Sequence, residues 1–234
     1  VIDGESHGIP RGAWGYDSYG ECLKTYYREQ GPVQYCEMAY HGTLSSGQDC
    51  LVIRRVLMAD PGIWLIVNDI GCRGRHVVQE YYHMDPRVKA VQGTQGMEGG
   101  WTLCSGNISL NLLGQTGFME EPGCRLDWVD RLSCLVKENR FTDRHTDWTC
   151  LAGGDVAMGS APVYQYGRPQ PVTETEVVSR TFAISPSESW VFLIWNQETF
   201  KGGKMYLCNG IPIYAKAAAL HCRNGNTTLY RLRN

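Results

Sequence analysis

CLVIRRVLMADPGIWLIVNDIGCRGRHVVQEYYHM, residues 50–84, is the stretch that decides the fold. It contains three short runs, residues 50–58, 63–70 and 76–84, which are rich in Val, Ile, Leu, Tyr and Trp. Asp60-Pro61-Gly62 separates the first two runs, and Gly71-Cys72-Arg73-Gly74 separates the last two. Such clusters favour turns, and they leave runs that are too short for helices. The pattern therefore predicts three consecutive antiparallel strands.

The first run has apolar residues on both of its faces. Alternate side chains of a strand point to opposite sides, so that one face carries Leu51, Ile53, Arg55 and Leu57, and the other carries Val52, Arg54, Val56 and Met58. Because neither face is wholly polar, we expect other structure to cover the sheet on both sides, as in a sandwich of stacked sheets.

The remainder of the chain continues the same pattern of short runs and turns. Strands are predicted near residues 33–40, 177–184 and 190–195, and again between residues 204 and 232, where Asn209-Gly210 and Asn224-Gly225 favour hairpin turns. Residues 1–28 form an opening that is rich in glycine, aromatic residues and turn signals. The prediction is an all-β fold: one multi-stranded antiparallel β-sandwich domain over residues 1–234, with few or no helices.

Composition excludes several classes of partner. The formal net charge of −2 and the pI near 6.3 give no electrostatic reason to expect nucleic acid. No apolar run reaches the roughly 18 residues that a membrane-spanning helix needs. Hydrophobic content of 43% is typical of a folded globular protein.

The chain contains ten cysteines without C-x-x-C or zinc-ribbon spacing. Three of them (Cys36, Cys50 and Cys208) lie in apolar runs, where a free thiol packs as a small hydrophobic side chain. We expect mostly free thiols, which favours a cytoplasmic location, and a periplasmic or secreted parent protein remains the alternative.

Several segments resemble the C-terminal β-domain of heparinase II/III-like polysaccharide lyases. They are IRRVL (53–57), WLIVNDI (64–70), HVVQEYYHM (76–84), VIDG (1–4) and PVYQYGRPQPVTETEVVSRTF (162–182). The resemblance implies a parent enzyme that cleaves uronic-acid-containing polysaccharides, such as glycosaminoglycans, by β-elimination. In that family the catalytic residues belong to an N-terminal helical toroid. We therefore expect a C-terminal fragment of a longer protein, with the toroid as partner domain.

An aromatic segment near the start of the chain suggests a sugar-binding surface. Trp14, Tyr16 and Tyr19 lie in a loop-like stretch, where aromatic rings stack on sugars, and the alternative is that they cap the sandwich core. His41 follows a predicted strand and is placed with these three as a candidate substrate-binding residue, unless it is a solvated loop histidine.

The polar residues Asp69, His76 and His83 form the best candidate cluster for chemistry. The two histidines are seven residues apart, so on an uninterrupted strand they point to opposite faces and do not share a metal. Two structural histidines at strand ends are the alternative. The sequence contains no motif typical of a nucleophile, a phosphate-binding loop or a metalloprotease, and we predict no catalytic residue, metal or cofactor.

Two further groups of residues are candidates for binding an anion or a metal. Arg54 and Arg55 are suited to bind the carboxylate or sulfate of an acidic glycan, but they point to opposite faces, and a carboxylate partner inside the sandwich explains either one equally well. Asp143, His145 and Asp147 alternate along a predicted strand as potential metal ligands, although polar surface is the favoured interpretation.

The leading hypothesis is a non-catalytic C-terminal β-sandwich domain of a heparinase II/III-like polysaccharide lyase, inactive as an isolated chain. The alternative is a stand-alone carbohydrate-binding or structural β-sandwich module. Since a fold does not fix a function, the two are distinguished by binding and activity.

Overall fold

The computed structural model describes residues 1–5, 9–11, 15–18, 20–85, 87–94, 97–122, 133–196 and 205–234. Side chains are described in these ranges except at residues 9–11, 15–18, 24, 94, 97–99, 121, 122 and 133. The described residues form nineteen β-strands and no helix, which confirms the all-β prediction. Within them, no helix is long and apolar enough to cross a membrane.

The strands follow one another with short connections. In chain order they are β1 (Ile9–Arg11), β2 (Gly15–Ser18), β3 (Glu21–Gln30), β4 (Val33–Thr43), β5 (Asp49–Ala59), β6 (Ile63–His83), β7 (Lys89–Thr94), β8 (Met97–Ser105), β9 (Ile108–Gly114), β10 (Met119–Pro122), β11 (Ser133–Gly153), β12 (Ala157–Gly159), β13 (Val163–Gln165), β14 (Val177–Ser185), β15 (Glu188–Trp195), β16 (Tyr206–Cys208), β17 (Ile211–Ile213), β18 (Ala217–Arg223) and β19 (Asn226–Arg233).

Two antiparallel sheets form the body of the sandwich. The main sheet has the order β3-β4-β5-β6-β11-β9-β8-β7, with β10 beside β11, and the second sheet has the order β12-β14-β15-β18-β19. Strands β1 and β2 form a separate pair, and β13, β16 and β17 form a small third sheet. The main core lies between the two large sheets and includes Leu65, Val67, Phe182, Trp190 and Phe192, all of which are buried.

The prediction of a separate third strand at residues 76–84 is wrong. Residues 63–83 form one continuous strand, β6, so that residues 71–74 do not form a turn between two strands. They form instead a bulge, where the pairing of β6 with β11 slips between Thr142 and Arg144. Asp143 and Gly74 adopt positive φ angles of 61° and 104° at this point, and the Gly74 amide donates to the Asp143 carboxylate over 2.7 Å. The glycines permit a bulge here as readily as a turn, and the equally long partner strand favours the bulge.

Both long strands fold back on themselves at this bulge. Asn68 and Glu80 are twelve residues apart on β6, which is about 40 Å along a straight strand, yet the Asn68 amide nitrogen lies 2.6 Å from the Glu80 carboxylate. On β11, Lys137 Nζ lies 2.8 Å from Thr149 Oγ1, which is again twelve residues away. Residues 76–83 and 133–141 are therefore laid over the outer face of the main sheet, and we call this folded-over ribbon the flap.

The flap makes the sandwich three layers deep. Apolar side chains fill the crease between the flap and the main sheet, among them Ile70, Val78 and Phe141. The start of the chain closes this crease, because Ile2 is buried and pairs with Val78 in an isolated bridge. An Asp-Gly turn follows Ile2: Asp3 and Gly4 have positive φ angles of 52° and 78°.

A disulfide bond joins Cys50 to Cys72 in this crease, where β5 pairs with β6. The prediction of a free, packed thiol at Cys50 is therefore wrong, since its partner lies directly opposite on the neighbouring strand. Most of the other described cysteines are free, which agrees with the prediction of mostly free thiols; they are Cys22, Cys36, Cys104, Cys150, Cys208 and Cys222.

Strand β3 was not expected, because no strand was predicted between residues 21 and 30. It lies at the edge of the main sheet, where Leu23 and Tyr27 are exposed, so that it lacks the apolar alternation of a covered strand. The hairpins at Asn209-Gly210 and Asn224-Gly225 are confirmed, since all four residues have positive φ angles.

Candidate functional site

The bend in β6 creates a cleft of about 340 Å³ between the outer face of the main sheet and the flap. Its apolar lining comes from Val52, Ile66 and Ile70 of the main sheet and from Val78 of the flap. Its polar lining includes Arg54, Asn68, Glu80, Tyr82 and His83. An apolar surface with a few convergent polar groups is the usual composition of a small-molecule or sugar site.

Asn68 organises the polar wall of this cleft. Its side chain is buried; the side-chain oxygen accepts from Arg54 Nε over 2.8 Å, and the side-chain nitrogen donates to Glu80 over 2.6 Å. Arg54 is opposite Asn68 on the neighbouring strand, so that pairing register alone places the guanidinium beside the amide. Arg54 is exposed, and the hydrogen bond from its Nε to Asn68 fixes the orientation of the guanidinium and of its two terminal nitrogens.

Behind the cleft lies a buried ionic network. Lys137 is fully buried, and its Nζ lies 2.6 Å from Asp147 Oδ2 and 3.7 Å from Glu80 Oε2. It also donates to Thr149 Oγ1 over 2.8 Å. Burial raises the pKa of Asp147, and the Lys137 charge opposes that rise. One ammonium shared by two carboxylates holds the flap to the main sheet.

Tyr82 connects the network to the cleft. Its hydroxyl lies 3.1 Å from Glu80 Oε2 and 2.9 Å from Thr149 Oγ1. Burial, together with the nearby Glu80 charge, raises the pKa of Tyr82 far above its ordinary value. The phenol therefore remains protonated at neutral pH and serves as a hydrogen-bond donor.

Arg55 points to the opposite face of the main sheet, as the alternation predicts. It is buried there against the carboxylates of Asp69 and Glu37. The alternative of a carboxylate partner inside the sandwich therefore holds for Arg55. Arg54 is the arginine of this pair that lines the cleft.

The structure does not bring Asp69, His76 and His83 together. Asp69 accepts from Arg55 and from Thr146, on the face that points toward the second sheet. His76 is buried between Asp3, at 2.6 Å, and the Arg73 carbonyl, at 2.8 Å. His83 is exposed, and its ring stacks on Tyr81 with a centroid distance of 6.1 Å.

The predicted sugar-binding residues lie mostly outside the described residues. Trp14 and Tyr19 are not described, and Tyr16 is described only through its backbone in β2. His41 belongs to β4, where its Nε2 lies 3.6 Å from Asp49 Oδ1, and it does not line the cleft.

The alternating acids and histidine of β11 are also separated. Asp143 accepts from the Gly74 amide in the bulge, His145 stacks on Phe141 at 5.7 Å, and Asp147 is bound to Lys137. The interpretation of this stretch as polar surface is wrong for Asp147, which is buried because the flap covers it. No group of three potential metal ligands occurs in the part of the chain that the structure describes.

Sequence reasoning missed Asn68, Glu80, Tyr82 and Lys137. Contact between residues twelve positions apart requires the bends in β6 and β11, which the sequence does not predict. A polar residue at an otherwise apolar position of a covered strand, such as Asn68 after Val67, was the available signal.

Comparison with known proteins gives matches at the level of structure only. No protein-family model and no curated protein matches this sequence. Among solved structures, the chain is similar to heparan sulfate lyase HepC from Pedobacter heparinus, with a TM-score of 0.48 and 10% identity over 84% of this chain. It is also similar to the heparinase III BT4657 gene product, with a TM-score of 0.46 and 11% identity over 82% of this chain.

Both structures are named as heparinases or heparan sulfate lyases, the group that the sequence segments resemble. The chain spans about 28% of the length of each of these structures. At this level of similarity the match carries nothing about chemistry, which rests on the residues of the site.

Proposed function

We propose that this chain is a non-catalytic β-sandwich domain that binds an acidic polysaccharide in the cleft. In this proposal it is the C-terminal domain of a heparinase II/III-like lyase, whose helical toroid carries out β-elimination of uronic-acid-containing chains. The resemblance of the sequence segments supports the choice of family, and the polar wall of the cleft supports the choice of ligand.

The observation that carries the proposal is the state of Arg54. The side chain is exposed at the cleft and fixed through Nε by Asn68. Among the described residues no carboxylate forms an ion pair with it, whereas Arg55 beside it has two such partners. A guanidinium with its terminal nitrogens available binds a carboxylate with two parallel hydrogen bonds, which suits a uronate.

The rest of the cleft suits a sugar ring. The aliphatic side chains of Val52, Ile66 and Ile70 provide an apolar surface for the C–H face of the ring. At the opposite wall the Tyr82 proton is already donated within the network, so that the hydroxyl oxygen of Tyr82 and the remaining lone pairs of the Glu80 carboxylate accept from ring hydroxyls.

The same residues are poorly suited to catalyse β-elimination. The reaction requires a base that removes the C5 proton of the uronic acid, and a tyrosine acts as that base only as the phenolate. Burial raises the pKa of Tyr82, so that phenolate is disfavoured. Glu80 is already bound by Asn68 and lies beside Lys137.

Binding of polyuronates by the full chain tests the proposal. We expect alginate and heparan sulfate to bind and neutral dextran not to bind, as measured by isothermal titration calorimetry. Arg54→Ala should weaken alginate binding by about tenfold, the effect of losing one charge-assisted contact of roughly 1.5 kcal/mol. Arg231→Ala is the matched control, since Arg231 is also exposed but lies on β19 of the second sheet. Equal weakening by both substitutions would show attraction by general charge and overturn the cleft as the site.

A separate measurement tests whether the isolated chain has lyase activity. The isolated chain is mixed with heparan sulfate or alginate, and the ultraviolet absorbance of an unsaturated uronate is followed. We expect no increase above the buffer control. Turnover by the purified chain would overturn the non-catalytic assignment without affecting the binding result.

A second function, a structural or docking module, is favoured by a different observation. Tyr27, Met38 and Trp64 are 58%, 40% and 41% exposed. Strand pairing places all three on the outer face of the main sheet, beyond the flap. A helical partner domain would cover such a surface. Sedimentation velocity tests this: self-association of the isolated chain that is lost in Trp64→Lys would favour docking, and a monomer at all concentrations would count against it.

A further inference from the structure

The face of the flap that points away from the main sheet carries a second depression, of about 410 Å³, whose lining includes the apolar side chains of Val77 and Phe141. Arg75, Arg140 and Thr142 line it, and Asp3 and His76 form part of its wall. Arg75 is opposite Thr142 in the pairing of β6 with β11, and Arg140 is opposite Val77. Arg75 and Arg140 are therefore diagonal neighbours on one face of the ribbon, with side chains that reach the same depression.

These two arginines have no partner among the residues that the structure describes. Both are exposed, and neither forms a hydrogen bond or an ion pair with any residue that the structure describes. Several, though not all, of the other described arginines pair with carboxylates: Arg55 with Asp69, Arg87 with Asp85, Arg180 with Glu174 and Arg223 with Glu188. Like charges that face each other across a strand pair repel, so that an unpaired arginine pair at one depression is a feature that an anion would stabilise.

The nearby carboxylates are already engaged. Asp3 accepts from the Val77 amide over 2.7 Å and binds His76 Nδ1 over 2.6 Å, and Asp143 accepts from the Gly74 amide. Both ring nitrogens of His76 face acceptors, because Nε2 lies 2.8 Å from the Arg73 carbonyl. Only the doubly protonated ring satisfies both contacts, and the hydrogen bonds to Arg73 and Asp3 raise the pKa of His76 accordingly. The wall of the depression thus adds no negative charge that either arginine can use.

We propose that Arg75, Arg140 and Thr142 form a binding site for a tetrahedral oxyanion, a sulfate or phosphate monoester group. Two guanidinium groups and one hydroxyl donate from different directions, and a tetrahedral group offers at least three oxygens to accept from all of them. A planar carboxylate offers two oxygens, which a single arginine satisfies. The site lies on the opposite side of the flap from the cleft and is independent of the proposed function.

Binding of three probes by the full chain tests this site at one fixed ionic strength. The probes are a sulfated heparin tetrasaccharide, the same tetrasaccharide after desulfation, and inorganic phosphate as a competitor. We expect the double substitution Arg75→Ala/Arg140→Ala to weaken binding of the sulfated probe at least about tenfold, and phosphate to compete with it. Binding of the desulfated probe should be unaffected by this substitution and should depend on Arg54.

Control variants distinguish a specific binding site from general attraction of the anion by positive charge. Arg28→Ala/Arg231→Ala removes the same charge from exposed positions elsewhere and should leave binding nearly unchanged. Arg75→Lys/Arg140→Lys keeps the charge but loses the planar donors, and it should bind severalfold more weakly than the wild type. Equal binding by the lysine variant, or equal losses for the sulfated and desulfated probes, would overturn the oxyanion site. A null result for Arg54→Ala together with a loss for Arg75→Ala/Arg140→Ala would refute the cleft and retain this site.

Discussion

The two faces of the flap differ in how their charged side chains are buried and paired. On the face toward the main sheet, Lys137 is fully buried and Glu80 nearly so, and Lys137 lies within ion-pair distance of both Glu80 and Asp147. On the other face, Arg75 and Arg140 are exposed and unpaired among the described residues. The same two strands supply both faces, because alternate residues point in opposite directions.

The difference separates charges that hold the fold from charges that are available to a ligand. A buried charge without a partner costs several kcal/mol, so that buried charges are retained only as complete sets. An exposed charge costs little when it is unpaired, and it keeps its full capacity to bind. Stability and binding should therefore respond to different substitutions, and the predictions below test this from the largest effect to the smallest.

Lys137→Met should give the largest loss of stability. It leaves the buried Asp147 without its counter-charge at 2.6 Å and removes the positive charge beside Glu80. Breaking a buried ion pair by removal of one partner costs about 3–5 kcal/mol. Urea unfolding followed by tryptophan fluorescence measures the change.

The double substitution Lys137→Met/Asp147→Leu is the control for this prediction. It removes both charges together, and we expect it to recover at least about half of the loss, since replacement of a whole buried pair by apolar residues is often neutral. A single substitution that costs under about 1 kcal/mol would contradict the role of the network in holding the flap.

Asn68→Ala should have an intermediate effect on stability and a clear effect on binding. The buried Glu80 loses one hydrogen bond and Arg54 loses its fixed orientation, for a cost of about 1–3 kcal/mol. Alginate affinity should fall with it, although Asn68 carries no charge. Gln34→Ala, a neutral substitution on the same face of the main sheet, is the comparison and should leave affinity unchanged.

Much of the fold was predictable from local patterns, and the cleft was not. Asn209-Gly210 and the alternation in β14 and β15 specify hairpins and strands through short-range rules. Gly71 to Gly74 is compatible with a turn and with a bulge, and the choice depends on β11, some seventy residues away in the chain. Arg54 was recognisable as a ligand-binding candidate, whereas its fixed position depends on Asn68 and the fold of β6.

The contact between His76 and Asp3 should make stability depend on pH. The pKa of His76 is raised, chiefly by the hydrogen bond to the Arg73 carbonyl, so its contribution is present below about pH 6.5 and is lost as the pH rises through the folded value. The pKa of Asp3 is lowered, chiefly by the Val77 amide, so its contribution is lost only as the pH falls below about 4. The Asp3 side chain is 37% exposed, and solvent screening limits the effect to about 1 kcal/mol or less.

Unfolding of the wild type and of Asp3→Asn at pH 5.5 and pH 8.5 measures this contribution. The asparagine retains an acceptor for the Val77 amide but removes the charge that faces His76. We expect the wild type to lose more free energy of unfolding than the variant between these two values. Identical losses would show that the raised pKa of His76 does not depend on Asp3.

Arg75→Ala/Arg140→Ala should have the smallest effect on stability. Neither side chain has a partner to lose in the described structure, and removal of two neighbouring like charges relieves repulsion. The free energy of unfolding should remain within about 0.5 kcal/mol of the wild type, while Arg55→Ala, which strips Asp69 of a buried partner, should cost severalfold more. Adding sulfate at constant ionic strength should raise the unfolding midpoint of the wild type more than that of the double variant, because sulfate stabilises any folded protein by exclusion from its surface and a bound anion adds to this only where the site is intact. A large loss of stability in the double variant without added anion would place these arginines with the structural charges and remove the contrast between the two faces.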